Sequence, residues 1–157
     1  MAGSRLVLFL IVLFGLPIVA HAAGRFDQKD VDAAIKSFLS AQKSDQEDTD
    51  SLGSAISDLN ADGSSEIVLL WVRLGPTYSS STLTVFSKTA AGYKPAASLE
   101  LPGIAKKLSS VKDGIILVDL DVFAKNDPLC CPSIPKQVKY RWLDKKISEV
   151  KKPTRSR

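Results

Sequence analysis

The sequence predicts an α+β fold, with one N-terminal amphipathic helix packed on a mostly antiparallel sheet of about six or seven strands. Two observations carry this expectation. A single stretch, Phe26 to Ser44, repeats its apolar residues at helical spacing. Everything after Gly53 breaks into short β-rich runs separated by turn residues.

The chain opens with an export signal. Arg5 supplies the positive start, Leu6 to Phe14 is an unbroken apolar run, and Ala20-His21-Ala22 is a small-x-small cleavage site, so the mature chain is expected to start at Ala23. The apolar run is shorter than the ~20 residues of a spanning helix and is interrupted by Gly15 and Pro17. No cysteine lies near the cut to carry a lipid. The expectation is a periplasmic or secreted protein with no membrane anchor after cleavage. A single α+β domain over residues 23–150 follows, and then a basic, flexible tail over 151–157.

The formal charge is +4. Arg5 belongs to the leader, and Lys151, Lys152, Arg155 and Arg157 to the tail, so the stretch between them is close to neutral. With no basic patch interleaved with aromatics, no nucleic-acid partner is expected. His21 is the only histidine and lies in the leader. A mature chain without histidine excludes Ser-His-Asp and Cys-His catalysis and histidine-ligated zinc.

In the helical stretch, Val31, Ala34, Ile35, Phe38 and Leu39 share one face. Asp27 is the expected N-cap, with Asp30 near the positive end of the helix dipole. Asp45 to Ser51 reads as a solvated acidic connector. Ala55 to Leu59 leads into a loop. Glu66 to Leu74 is an apolar central strand, stopped by Gly75-Pro76. Thr82 to Lys88 alternates as a strand, and Tyr93 to Leu101 follows an Ala91-Gly92 turn. Ile104 to Val111 and Ile115 to Phe123 flank Asp113-Gly114, a strong hairpin signal. Lys125 to Pro135 is a proline-punctuated loop. Gln137 to Leu143 and Lys146 to Val150 form a last hairpin turning at Asp144-Lys145.

The loop Asp58-Leu59-Asn60-Ala61-Asp62-Gly63-Ser64-Ser65-Glu66 carries the most recognisable chemistry. Asp58, Asn60, Asp62, Ser64 and Glu66 alternate along it, and Gly63 supplies a sharp turn. Oxygens so spaced can converge on a hard cation such as calcium, as a structural staple. Leu69 sits where an EF-hand needs its bidentate glutamate, so the loop is not an EF-hand. Asn, Asp and Gly are also turn formers in their own right.

Cys130 and Cys131 are adjacent, in Asp127-Pro128-Leu129-Cys130-Cys131-Pro132-Ser133. Neighbouring Cα atoms across a trans peptide are ~3.8 Å apart, shorter than the usual disulfide span. A vicinal disulfide, two buried thiols, an intermolecular bridge and a soft-metal site all remain open. The Cys-x-x-Cys spacing of redox enzymes is absent.

The acidic loop resembles the calcium loop of FG-GAP and VCBS-type repeats, with Asn60 and Glu66 standing where those use aspartate. Such repeats come in arrays and this chain has one copy, so the resemblance covers the loop alone. From Phe26 to Val150, the loop, the Cys-Cys segment and the Lys139-Tyr140-Arg141-Trp142 strand together resemble small bacterial envelope proteins of the LppP/LprE lipoprotein type. The lipidation cysteine of those proteins is missing here, which implies a soluble form, and the resemblance implies no activity.

The expected function is a non-catalytic exported module that binds an envelope protein or ligand, with a calcium-stabilised loop. The alternative is an inhibitor of lysozyme-type hydrolases, with Lys125 to Pro135 as the segment that plugs a cleft. Asp119 with Asp121, on one strand face, and the acidic loop are the carboxylates that could supply acid–base pairs. Paired acids on a strand are ordinarily solvated surface.

Overall fold

The computed structural model describes residues 27–128 and 130–151. The predicted signal, the cleavage site and nearly all of the basic tail lie outside the described residues. Helix α1 (Gln28–Gln42) is followed by strands β1 (Asp48–Ser57), β2 (Glu66–Leu74), β3 (Ser79–Thr89), β4 (Gly92–Glu100), β5 (Gly103–Lys112), β6 (Ile115–Val122), β7 (Ile134–Leu143) and β8 (Lys146–Glu149).

The expected fold class is corrected by the sheet topology. The eight strands form two four-stranded antiparallel sheets, β1-β2-β3-β4 and β5-β6-β7-β8, each a simple meander. The protein is mostly β, and its one short helix is an addition to a two-sheet body rather than the cover of a single sheet. The break falls at the β4–β5 corner. Strand β4 is the edge of the first sheet, a position that tolerates Pro95 near its start. At Gly103 a side chain would collide with the Asp121 carbonyl. The buried Ser81 pins the corner, its carbonyl accepting from Leu101 N–H (2.8 Å) and its hydroxyl from Ala105 N–H (2.8 Å).

Two cores result. Between the sheets lie Val68, Leu70, Leu83 and Val85 from one and Ile116, Val118, Leu120, Val138, Tyr140 and Trp142 from the other. On the opposite face of the first sheet, α1 lays Val31, Ala34, Ile35, Phe38 and Leu39 over Ile67, Leu69, Trp71 and Phe86. This is the stripe expected from the sequence. Phe38 meets the rings of Trp71 and Phe86 edge-on, with centroids 5.7 and 5.2 Å away. Strand β2 is therefore buried on both faces, which is why its sequence is a continuous apolar run and not an alternating one. The Trp71 indole N–H donates to Thr84 Oγ1 (3.0 Å), which in turn lies 2.9 Å from Ser98 Oγ, so the polar atoms on that face satisfy one another.

Asp27 caps α1 as expected, its carboxylate accepting from Lys29 N–H at 2.9 Å. The acidic connector is shorter than expected, because β1 already starts at Asp48. Thr49 is buried and donates its hydroxyl to the Leu39 carbonyl of α1, while Asp48 and Asp50 lie exposed on this edge strand. An edge strand tolerates, and is protected by, such charges. Hairpins turn at Asp113-Gly114 and Asp144-Lys145, all four residues having positive φ.

Candidate functional site

The β1–β2 loop stands at one end of the two-sheet body, next to the β5–β6 and β7–β8 turns. Together they border an open cleft of about 610 Å³, with Asp58, Asn60, Lys112, Asp113, Arg141 and Trp142 in its lining. Gly114 lets the β5–β6 turn approach the loop. A β-carbon there would stand 2.8 Å from the Leu59 carbonyl, and φ is +71°.

The loop is built by its own carboxylates. Asp58 accepts from Asp62 N–H (3.2 Å) through Oδ1 and from Gly63 N–H (2.9 Å) through Oδ2. Asn60 Oδ1 also accepts from Asp62 N–H, and its amide donates to Asp62 Oδ2. Asp62 Oδ1 accepts from Ser64 N–H at 2.8 Å. These bonds, led by the one from Ser64, hold the Asp62 carboxyl below its usual range. Gly63 takes φ +86°, as a turn here requires.

Glu66, the first residue of β2, is only 2% exposed. Its Oε2 accepts from Leu59 N–H at 2.9 Å, closing the base of the loop. Burial raises the Glu66 carboxyl pKa, and the nearby negative charges of Asp62 and Asp58 add to the rise.

Of the five candidate ligands, Asp58, Asn60 and Asp62 are thus gathered by mutual hydrogen bonds. Glu66 lies at the buried base, and Ser64 contributes its backbone N–H to Asp62. Among the described residues, no three acidic, histidine or cysteine side chains form a group that could hold a metal ion. The donor chemistry suits calcium in type, since each carboxylate oxygen that takes one N–H keeps a second lone pair. No lysine or arginine among the described residues makes an ion pair with Asp58, Asp62 or Glu66.

Cys130 and Cys131 are bonded to each other, with Cα atoms 3.8 Å apart across a trans peptide. They lie in the β6–β7 connection, at the other end of the body. Asp127 organises this connection: its Oδ2 accepts from Ala124 N–H (2.7 Å) and Ser133 N–H (2.8 Å), and the Ser133 hydroxyl donates to Oδ1 (2.8 Å). These bonds, the Ala124 one foremost, hold the Asp127 carboxyl below its usual range.

Asp119 and Asp121 share the outer face of the second sheet and are each paired with a lysine of β5. Lys107 lies 3.5 Å from Asp119, and Lys106 lies 2.8 Å from Asp121. Gln137 Nε2 also donates to Asp119 at 2.7 Å.

Sequence reading missed Tyr140 and Trp142 as a buried polar pair. Tyr140 is 1% exposed, and burial, with the charge of Glu149 adding, pushes its phenol pKa up to about 12. Its hydroxyl and the Trp142 indole N–H both lack a hydrogen-bond partner among the described residues. Their alternation with Val138 marks them as inward-facing, but no local signal distinguishes them from ordinary core aromatics. No helix of the described residues is long and apolar enough to cross a membrane. Comparison with family models, with curated proteins and with solved structures finds no match to this chain.

Proposed function

We propose that the protein is an exported, non-catalytic binding module for an envelope protein or ligand, with a β1–β2 loop that calcium holds in place. The observation that supports this reading is the uncompensated charge of the loop. No cation among the described residues is paired to Asp58, Asp62 or the buried Glu66, and the charges of Asp62 and Asp58 add to the rise that burial causes in the Glu66 pKa. A divalent cation relieves that repulsion and uses oxygen ligands of this type. The loop borders the open cleft, so holding it fixed preserves the shape of a binding edge.

The test is a thermal melt of the mature chain in millimolar calcium and then in chelator, with Asp62→Ala alongside. A calcium-dependent rise that the variant loses supports the staple. An identical melt in all conditions reduces the loop to a self-satisfied turn.

A second reading, inhibition of a lysozyme-type hydrolase, draws support from the β6–β7 connection. Asp127 and the Cys130–Cys131 bond stiffen an exposed loop of the kind that enters a cleft. Full lysozyme activity in the presence of excess protein would remove that reading.

A further inference from the structure

Near-neutrality of the body conceals a strong separation of charge. Residues 27–66 carry ten acidic side chains and three basic ones, whereas residues 67–151 carry thirteen basic and seven acidic. The fold sets α1 and the second sheet on opposite faces of the first sheet, and of the acidic part the β1–β2 loop reaches the cleft that Lys112 and Arg141 also line. The acidic part supplies α1, β1 and the β1–β2 loop, while the second sheet belongs wholly to the basic part.

The two sheets also differ in cover. The first is sandwiched between α1 and the second sheet. Among the described residues, no element lies over the outer face of the second sheet. Strand register places Lys112, Ile115, Arg141 and Ser148 in one row across that face, with Leu117 and Lys139 in the next and Leu143 beside Lys146 at the end. The two acids of the face, Asp119 and Asp121, are neutralised by Lys107 and Lys106. Lys112, Lys139, Arg141 and Lys146 hold no ion pair among the described residues. Leu143 and Val150 stand 56% and 37% exposed among these cations. The sequence beyond Val150 continues with Lys151, Lys152, Arg155 and Arg157.

We infer that this uncovered face of the second sheet docks on an anionic lipid bilayer. Charge complementarity selects an anionic partner. Among the paired residues of β5–β8 no aromatic side chain lies on the outer face, and Phe123, just past the end of β6, is a single exposed ring, so the face lacks the row of stacking rings that single-stranded nucleic acid uses. Its cations are mostly lysines, which act as point charges and suit an array of headgroups better than bidentate recognition of one group. Exposed aliphatic side chains among lysines match the two signals that hold peripheral proteins at a bilayer surface. The inference does not depend on the calcium reading.

The test is co-sedimentation of residues 23–157, which include both cores, with phosphatidylcholine vesicles and with phosphatidylcholine–phosphatidylglycerol vesicles. Binding is expected only to the anionic vesicles, weakening as salt is raised. The variant Lys112→Glu/Lys139→Glu/Arg141→Glu is expected to bind at least about tenfold more weakly. Lys29→Glu/Lys36→Glu/Lys94→Glu, with the same change in net charge but away from this face, is expected to bind close to the parent. Circular dichroism checks folding, and the corresponding glutamine variants replace any that fail to fold. No binding to anionic vesicles overturns the proposal. So does equal weakening by both variants, which would mean that net charge alone attracts the protein. Capture of duplex DNA or an acidic protein without vesicle binding would assign the face to another partner.

Discussion

Glu66 performs two separable tasks, and two substitutions distinguish them. Its carboxylate is the acceptor for Leu59 N–H at 2.9 Å, and both residues are buried, at 2% and 5% exposure. Glu66→Ala leaves that N–H without a partner, which costs about 1–3 kcal/mol. In a domain of this size the melting temperature then falls by roughly 3–12 °C. Glu66→Gln keeps an oxygen acceptor in place and removes the buried charge. Because burial raises the folded-state pKa, the folded protein holds a proton over a window in which the unfolded chain has lost it. In that window stability falls as pH rises, and above the raised pKa the whole penalty is present. Without calcium, the glutamine variant should therefore equal or exceed the parent near neutral pH. Its stability should also fall less as pH climbs out of the ordinary glutamate range. With calcium at tenfold its dissociation constant, the parent gains about 1.4 kcal/mol by linkage and the variant gains less. The assay is urea unfolding across pH, read as the difference between parent and variant so that other titrating groups cancel. A glutamine variant as destabilised as the alanine one in chelator, or with an unchanged pH slope, would refute the reasoning.

Other substitutions probe the frame around this site. Phe38→Ala removes the ring that meets Trp71 and Phe86 and should cost about 3 kcal/mol in urea unfolding, the low end for a phenylalanine because the side chain is half-buried. Gly114→Ala combines a φ of +71° with a clash on the Leu59 carbonyl and should destabilise by ~1–3 kcal/mol, seen as a lower unfolding midpoint. Asp127→Ala should loosen the β6–β7 connection, giving faster amide exchange at Ala124 and Ser133 with the cores unchanged. In the parent, the Asp127 clasp is complete above the ordinary aspartate range and is lost as pH falls through its depressed pKa, so exchange there should quicken only in acid.

Local chemistry alone determined much of this protein. The apolar stripe from Val31 to Leu39, the Asp27 cap, the turns at Asp113-Gly114 and Asp144-Lys145 and most of the strand positions follow from periodicity, capping and backbone preference. These forces act within a few residues. The start of β1 did not, because Asp48 to Ser51 is polar and becomes a strand only by pairing with Val72 and Trp71 of β2. Tertiary structure alone decided that the strands divide into two sheets. Eight sequential antiparallel strands have the same local signature whether they form one sheet or two, and the division depends on Gly103 and the Ser81 clamp meeting at the β4–β5 corner. It also decided that Glu66 is buried against Leu59, and that Lys112, Lys139, Arg141 and Lys146 share one outer face. Both are matters of register between strands, which no short stretch of sequence encodes.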